Sequence, residues 1–80
     1  MAASLSDLRS WFNKGVADGY THMAVFMDIM DYEDYPSYYD IMNTPDIKAE
    51  VAKNPERLME VYDLRMSREA QMAEGRAFHY

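Results

Sequence analysis

The sequence predicts a single α+β domain of 80 residues, in which a β-hairpin and a third strand pack against helices in the order α-β-β-α-β-α. Apolar residues recur at helical spacing over residues 4–20 and then occupy both faces of an extended run over residues 21–30. Signals for the start of a helix follow at Thr44 and again at Ser67. A chain of this length buries a small core, so we expect marginal stability.

The first helix is predicted over residues 4–20. Its apolar residues are Leu5, Leu8, Trp11 or Phe12, and Val16. Ser4 is placed to cap the helix, and Asp7 completes a capping box at its positive end. Gly19 is placed to end the helix in a left-handed conformation. Gly15 costs about 1 kcal/mol relative to alanine in a helix, so we expect close packing against another element at that position.

A β-hairpin with an acidic tip is predicted over residues 21–42. Residues 21–30 form its first strand, covered on both faces, and residues 31–34 carry turn-forming side chains. Pro36 cannot donate a hydrogen bond to a neighbouring strand, so we expect it at the start of the second strand or on an edge. The second strand is predicted over residues 37–42.

The remaining elements are a short helix, a third strand and a final helix. Thr44 is the expected N-cap of the short helix, with Pro45 as its first residue and Asn54-Pro55 as its end. Residues 58–64 are ambiguous between a strand and a helix, and we favour a strand because a two-stranded hairpin alone is marginal. The final helix is predicted from Arg68 to about Arg76, with a narrow alanine seam at Ala70, Ala73 and Ala77.

Composition excludes several classes of protein. The chain has no cysteine, which leaves no disulfide framework or zinc–thiolate site. Its start is too polar for a signal peptide, and no apolar run approaches the roughly 20 residues of a membrane span. A net charge of −6 opposes binding to nucleic acid or anionic lipid. We therefore expect a cytoplasmic protein whose partners are proteins, particularly basic ones, or small molecules.

The charge is concentrated in one stretch. No lysine or arginine occurs between Lys14 and Lys48, whereas seven acids occur there. Tyrosines lie among these acids, and tyrosine is enriched at protein interfaces. Such a surface has a charge density like that of phosphate and would complement a basic groove. The predicted partner-binding residues are Asp28, Asp31, Tyr32, Glu33, Asp34, Tyr35, Tyr38, Tyr39 and Asp40.

Catalytic and metal sites are not predicted. The acids from Asp28 to Asp34 have the right ligand type for Ca²⁺ or Mg²⁺, but the spacing lacks the glycine and terminal glutamate of an EF-hand. Acid–base catalysis needs a partly buried carboxylate, whereas a hairpin tip is usually solvated. His22 beside an apolar strand is interpreted as a hydrogen-bonded boundary residue. We therefore expect no enzyme activity, no cofactor and no metal.

Four sequence blocks carry a resemblance to small uncharacterised proteins encoded by bacteriophages and prophages. They are THM before an apolar run, DYEDYP, EVYDLR and QMAEGRAFHY. The resemblance spans nearly the whole chain but includes no catalytic motif. It implies a phage accessory protein acting in the bacterial cytoplasm, and small acidic phage proteins of this size are often inhibitors of host defence, including anti-CRISPR proteins.

Together these features predict a non-enzymatic inhibitor that binds a host complex handling nucleic acid, most specifically a CRISPR effector complex. A homodimer is a further expectation. One alternative is a homo-oligomeric sponge for a nucleotide immune signal, with phosphate donors drawn from Arg9, Lys14, Arg65, Arg68 and Arg76. Another alternative is a phage structural or assembly factor.

Overall fold

The computed structural model describes residues 3–54 and 57–74. Its helices are α1 (Leu5–Ala17), α2 (Ile47–Val51) and α3 (Arg68–Ala73). Its strands are β1 (His22–Met27), β2 (Asp34–Tyr39) and β3 (Leu58–Asp63). The α+β class and the α-β-β-α-β-α order predicted from the sequence are confirmed.

The three strands form one antiparallel sheet in the order β2-β1-β3. In the predicted hairpin, His22 lies opposite Tyr39 and Met27 opposite Asp34. The ambiguous segment after residue 57 is a strand, as favoured, and it pairs with the other side of β1. Its register shifts by one residue at Val25/Phe26, which marks a β-bulge. The central strand β1 therefore has a hydrogen-bonded neighbour on each side.

Helices cover both faces of the sheet. On one face, α1 and α3 pack on a cluster formed by Phe12, Met23, Val25, Tyr62 and Leu64, flanked by Leu8, Trp11, Tyr38 and Met72. On the other face, α2 packs on a cluster formed by Ala24, Phe26, Ile47, Val51 and Val61. Successive β1 residues alternate between the two clusters because side chains of a strand point to alternate faces. This explains why β1 is apolar at every position after His22.

Both ends of α1 form as predicted. Ser4 Oγ accepts from the Asp7 backbone N–H (3.1 Å), and the Asp7 carboxylate accepts from the Ser4 N–H, so the capping box is confirmed. At the other end, Gly19 has a φ of +83°. Its N–H donates to Val16 O, and the Tyr20 N–H donates to Gly15 O, which is the Schellman arrangement.

Two element starts differ from the prediction. Strand β2 begins at Asp34 instead of residue 37, so Pro36 lies inside an edge strand, opposite Val25. The N-cap of α2 is Asp46, whose side chain accepts from Ala49 N–H, instead of Thr44. The helix begins later because its first i+4 backbone bond runs from Glu50 N–H to Asp46 O (3.1 Å), whereas Thr44 ends the turn after β2, where its N–H donates to Asp40 O.

Helix α3 begins at its predicted cap but packs through other residues. The Ser67 side chain accepts from the Ala70 N–H, as expected of an N-cap. The predicted alanine seam is wrong, because Ala70 and Ala73 are exposed and Gln71 is the buried residue. Ala77, the rest of that predicted helix and Pro55 lie outside the described residues. Among the described residues, no helix has the length and apolar character needed to cross a bilayer.

Replacing Gly15 by alanine should destabilise the protein. A Cβ at this position would lie 2.7 Å from Leu64 Cδ1 and 2.7 Å from Tyr38 Cε1, where α1 crosses the sheet. The Tyr38 ring cannot move freely, because its hydroxyl donates to Trp11 O (2.7 Å). Overpacking of this kind costs about 1–3 kcal/mol, which exceeds the helix-propensity gain of about 1 kcal/mol. Urea unfolding followed by Trp11 fluorescence measures the difference.

Ser10→Ala is the control for that measurement, because Ser10 is exposed on the same helix. We expect it to leave the free energy of unfolding unchanged or to raise it by a few tenths of a kcal/mol. If Gly15→Ala proves as stable as Ser10→Ala, the close approach of α1 to the sheet does not constrain this position.

Candidate functional site

The acidic turn, defined as residues 28–33, connects β1 to β2. Its base is closed by Asp28 N–H donating to Glu33 O, and the Tyr32 N–H donates to Asp28 O within it, each at 2.8 Å. Two carboxylates also bond to the turn backbone. Asp28 Oδ1 accepts from Met30 N–H (2.8 Å), and Asp31 Oδ1 accepts from Glu33 N–H (3.0 Å). Aspartate is favoured at such positions, so two of the acids shape the turn as well as charging it.

Tyr32 has an unusual backbone conformation. Its φ of +59° lies in the left-handed region, which a bulky side chain occupies at a cost of about 1–2 kcal/mol. The Tyr32 side chain is nevertheless 65% exposed. The tight hydrogen bonding of the turn holds this residue in place. The strained backbone therefore aims an aromatic ring at solvent and not into the core.

Two apolar side chains lie beside Tyr32 on the same turn. Met30 is 87% exposed and Ile29 is 59% exposed. Both were predicted to lie in the first strand, but that strand ends at Met27. The signal that could have found them is Asp28 followed three residues later by Asp31, since aspartates with local turn bonds end a strand. The exposed tip is thus apolar as well as acidic.

The predicted acids do not all lie at this tip. Asp31 and Glu33 are exposed there, and Asp28 is half-buried at the base. Asp34 is half-buried in β2, where its carboxylate accepts from the Ala3 backbone N–H (2.9 Å). Asp40 lies at the other end of β2, where its carboxylate accepts from Met42 N–H (2.9 Å). The structure therefore separates Asp40 from the tip by the length of a strand.

The predicted tyrosines are divided between the two faces of the sheet. Tyr38 faces α1 and stacks on Tyr20 with ring centroids 5.4 Å apart. Tyr35 and Tyr39 pack on the opposite cluster, where Tyr35 stacks on Phe26 at 6.0 Å. Burial raises the pKa of both Tyr38 and Tyr39. Of the four tyrosines, only Tyr32 projects from the acidic turn, so a single surface carrying all nine predicted residues does not form.

A basic side chain lies nearer to the turn than the sequence indicated. Arg57 comes well after the stretch without lysine or arginine, yet its Nε donates to Met27 O (2.9 Å) at the end of β1. The same guanidinium donates to the Tyr35 hydroxyl (2.9 Å). A positive charge therefore lies at the base of the turn, whereas the tip carries Asp31 and Glu33.

The cations proposed as phosphate donors for a nucleotide sponge bind carboxylates instead. Arg9 and Arg68 both pair with Glu69, at 2.9 and 2.7 Å. Lys14 pairs with Asp18 (2.6 Å), and Arg65 pairs with Asp63 (3.0 Å). Arg76 lies outside the described residues. Each of these four side chains is paired with a carboxylate, so the geometry gives the sponge no support.

A buried polar cluster lies at the other end of β1 from the acidic turn. His22 is 2% exposed, and its Nδ1 lies 2.9 Å from Thr21 Oγ1. Thr21 Oγ1 also accepts from the Ile41 N–H (2.9 Å), which joins the end of β2 to the start of β1. His22 is hydrogen-bonded as predicted, but it is buried instead of lying at the boundary of the core.

Asp63 is the acidic member of this cluster. Its Oδ2 lies 4.0 Å from His22 Nε2, and its two carboxylate oxygens accept from the Arg65 side chain at 3.0 Å each. Burial alone would raise the pKa of Asp63, but the side-chain and backbone hydrogen bonds from Arg65 outweigh it and the pKa is lowered. Burial lowers the pKa of His22, with Asp63 opposing this shift and Arg65 adding to it.

The cluster ties the ends of three strands together. Each buried side-chain nitrogen or oxygen in residues 3–54 and 57–74 has a hydrogen-bond partner. In the same residues, no three histidine or carboxylate side chains are grouped so that they could hold a metal ion. Comparison of the chain with protein-family models, with curated proteins and with solved structures finds no match. The candidate site is the tip of the acidic turn.

The buried imidazole of His22 predicts acid sensitivity. Because the pKa of His22 in the fold is below the ordinary value of 6.5, the unfolded chain binds the proton more readily. The free energy of unfolding should therefore fall as the pH drops below about 6.5, by up to about 1.4 kcal/mol per pH unit, and level off below the folded pKa. Asp63 adds its own loss only below its ordinary pKa of 3.8.

Urea unfolding at pH 7 and at pH 5 measures this slope, because the two pH values lie on either side of the ordinary histidine pKa of about 6.5. His22→Gln is the matched variant, because it leaves His79 in place. An equal slope in the two proteins would show that His22 does not couple folding to pH in this range.

Proposed function

We propose that this chain is a non-enzymatic protein-binding domain whose contact with its partner is centred on the tip of the acidic turn. The observation that carries the proposal is the state of Tyr32, a large aromatic residue held at positive φ and exposed to solvent. Strained backbone of this kind persists only where surrounding structure enforces it, and it is concentrated at functional sites.

The chemistry of the tip matches an interface better than a plain solvated loop. Met30, Ile29 and Tyr32 supply apolar contact area at its centre, and flexible methionine adapts to irregular surfaces. Asp31 and Glu33 border them with negative charge. Aromatic and apolar anchors within a charged rim are typical of protein interfaces. The complementary partner surface is an apolar pocket bordered by arginine or lysine, and the acids would accelerate encounter with it.

The absence of enzyme activity in this proposal rests on the position of His22. It is the one histidine among the described residues, and it is almost fully buried and hydrogen-bonded to Thr21. A general base must come within hydrogen-bond reach of a substrate proton. The His22 ring is buried in the folded protein and cannot do so. Binding, and not turnover, is the action that the exposed turn supports.

The specific form of the proposal comes from the resemblance to phage-encoded proteins. That resemblance would make the chain an inhibitor of host defence in the bacterial cytoplasm, with a CRISPR effector complex as its partner. Such complexes hold nucleic acid in positively charged channels. The tip would then occupy part of a surface that otherwise meets phosphate.

Charge reversal at the tip should weaken binding. Glu33 uses only its backbone within the turn, so Glu33→Lys changes the charge while leaving the turn bonds in place. Affinity capture from bacterial lysate identifies the partner, and titration of the purified partner at low and high salt measures the effect. We expect affinity to fall about tenfold, equivalent to about 1.4 kcal/mol, with a weaker dependence on salt.

Glu50→Lys is the matched control, since it makes the same charge change on α2, away from the turn. Combining Asp31→Asn with Glu33→Lys should enlarge the loss of affinity, because it removes a second negative charge. The turn should be kept, since the asparagine amide oxygen can still accept from the backbone N–H of residue 33. If this double variant binds the partner as tightly as the parent does at low salt, the electrostatic part of the proposal is ruled out.

Replacing Tyr32 by glycine should separate stability from binding. Glycine adopts positive φ without the steric cost, so the free energy of unfolding should stay unchanged or rise by about 1 kcal/mol. Binding should fall by tenfold or more, because an exposed aromatic anchor is lost. Urea unfolding and partner titration measure the two effects. A variant that is more stable and binds as well as the parent would show that Tyr32 is not part of the contact.

A further inference from the structure

The Thr21 hydroxyl has two acceptors within reach at the end of the sheet opposite the acidic turn. Its Oγ1 accepts from the Ile41 N–H (2.9 Å), which joins the chain after β2 to the start of β1. The same oxygen lies 2.9 Å from His22 Nδ1 and 3.4 Å from Tyr39 O. A hydroxyl has one hydrogen, so it donates either to the imidazole or to the carbonyl.

The surroundings of the His22 ring decide which nitrogen carries its hydrogen. A neutral imidazole has one N–H, on Nδ1 or on Nε2. Nε2 faces the Asp63 carboxylate, whose Oδ2 lies 4.0 Å away. A hydrogen on Nε2 is attracted to that carboxylate, whereas a lone pair there would be repelled by it. The neutral ring therefore carries its hydrogen on Nε2, and Nδ1 accepts from the Thr21 hydroxyl.

On the β3 side, the ring faces a negative charge that is kept ionised. Both oxygens of the Asp63 carboxylate accept from the Arg65 side chain at 3.0 Å, and these bonds lower the pKa of Asp63. Asp63 favours a positive charge on the His22 ring, while the positive charge of Arg65 opposes it. The Gln71 side chain from α3 is uncharged and donates to Asp63 O (2.7 Å).

On the β2 side, the ring faces a neutral group. Tyr39 lies directly opposite His22 in the strand pairing. Burial raises the pKa of the Tyr39 phenol, so this side chain stays uncharged near and below pH 7. The charges of Glu50 and Lys53, on and just after α2, act on this phenol. The Asp63 carboxylate is therefore the charge toward which Nε2 is directed.

We propose that Thr21, His22 and Asp63 form a proton-operated hydrogen-bond switch at the junction of β1 and β2. With His22 neutral, the Thr21 hydroxyl donates to Nδ1. When the ring takes a second proton from solvent, this proton occupies Nδ1. The Thr21 hydroxyl then accepts from Nδ1–H and turns to donate to Tyr39 O, while the Ile41 N–H bond to Oγ1 is kept.

The switch lets a buried imidazole become charged without losing a hydrogen bond at the junction. Oγ1 has two lone pairs, one for the Ile41 N–H and one for Nδ1–H. Tyr39 O already accepts from the Thr21 backbone N–H (3.0 Å) and has a second lone pair for the hydroxyl. The new positive charge faces Asp63. The hairpin that carries the acidic turn therefore stays paired at this end when His22 is protonated.

Nitrogen NMR of the labelled full chain tests the neutral state. The ¹⁵N shifts of an imidazole distinguish a nitrogen that carries hydrogen from one that does not, and the His22 signals are those lost in His22→Gln. At about pH 8, well above the ordinary histidine pKa, we expect hydrogen on Nε2 and none on Nδ1. A hydrogen on Nδ1 at this pH overturns the proposal.

The Tyr39 carbonyl tests the protonated state. As the pH is lowered from about 8 until His22 is fully protonated, the ¹³C signal of this carbonyl should shift downfield with the midpoint of the His22 titration. The shift should be lost in Thr21→Val, which lacks the hydroxyl, and kept in Thr21→Ser. The Asp63 carbonyl, which accepts from Gln71, is the control for the charge of the ring and should move less.

Two outcomes overturn the proposal even if Thr21→Val fails to fold. One is a Tyr39 carbonyl signal that stays fixed in the parent and in Thr21→Ser while His22 titrates. The other is unfolding that coincides with protonation of His22, measured by far-UV circular dichroism at the same pH values, because the switch requires a folded protonated state. The readouts need no binding partner, so they are independent of the acidic turn.

Discussion

The structure depends on a central strand that is buried on both faces. From Met23 to Phe26, β1 alternates between two separate clusters, so neither side of the sheet can face water. One side requires α1 and α3, and the other requires α2. In the described helices most large apolar residues cover the sheet, although Leu5 and Val16 of α1 are exposed. The exposed apolar residues of the β1–β2 turn stand out because they lie beyond the end of this strand.

Local signals predicted those parts of the fold in which short-range chemistry decides the conformation. Ser4 with Asp7 and the positive φ of Gly19 fix the ends of α1 through bonds within a few residues. The start of α2 was placed too early because Thr44 still belongs to the turn that follows β2, and the cap is supplied by Asp46. The alanine seam of α3 was wrong because the buried position is selected by a hydrogen bond to β3, which spacing along the helix does not reveal.

The candidate site was predicted only in part, and strand register is the reason. Tyr38 and Tyr39 are neighbours in sequence, but a strand sends them to opposite faces. The acids were treated as one patch, yet Asp34 and Asp40 lie at the two ends of β2. What the sequence did show is that charge concentrates near the hairpin tip. The contribution of Met30 and the strained Tyr32 required the backbone conformation of the turn.

The contact between α1 and the sheet has an evolutionary consequence. Gly15, Tyr38 and Leu64 are far apart in the chain but share one small volume, with no room for another carbon atom. Interiors are packed at crystal-like density, so such a volume cannot be refilled at one position alone. In diverging relatives these three sites should vary together, with a larger residue at the helix position accompanied by smaller ones on the strand side. Correlated change at this triplet would mark descent of the same helix–sheet junction, even where overall identity has been lost.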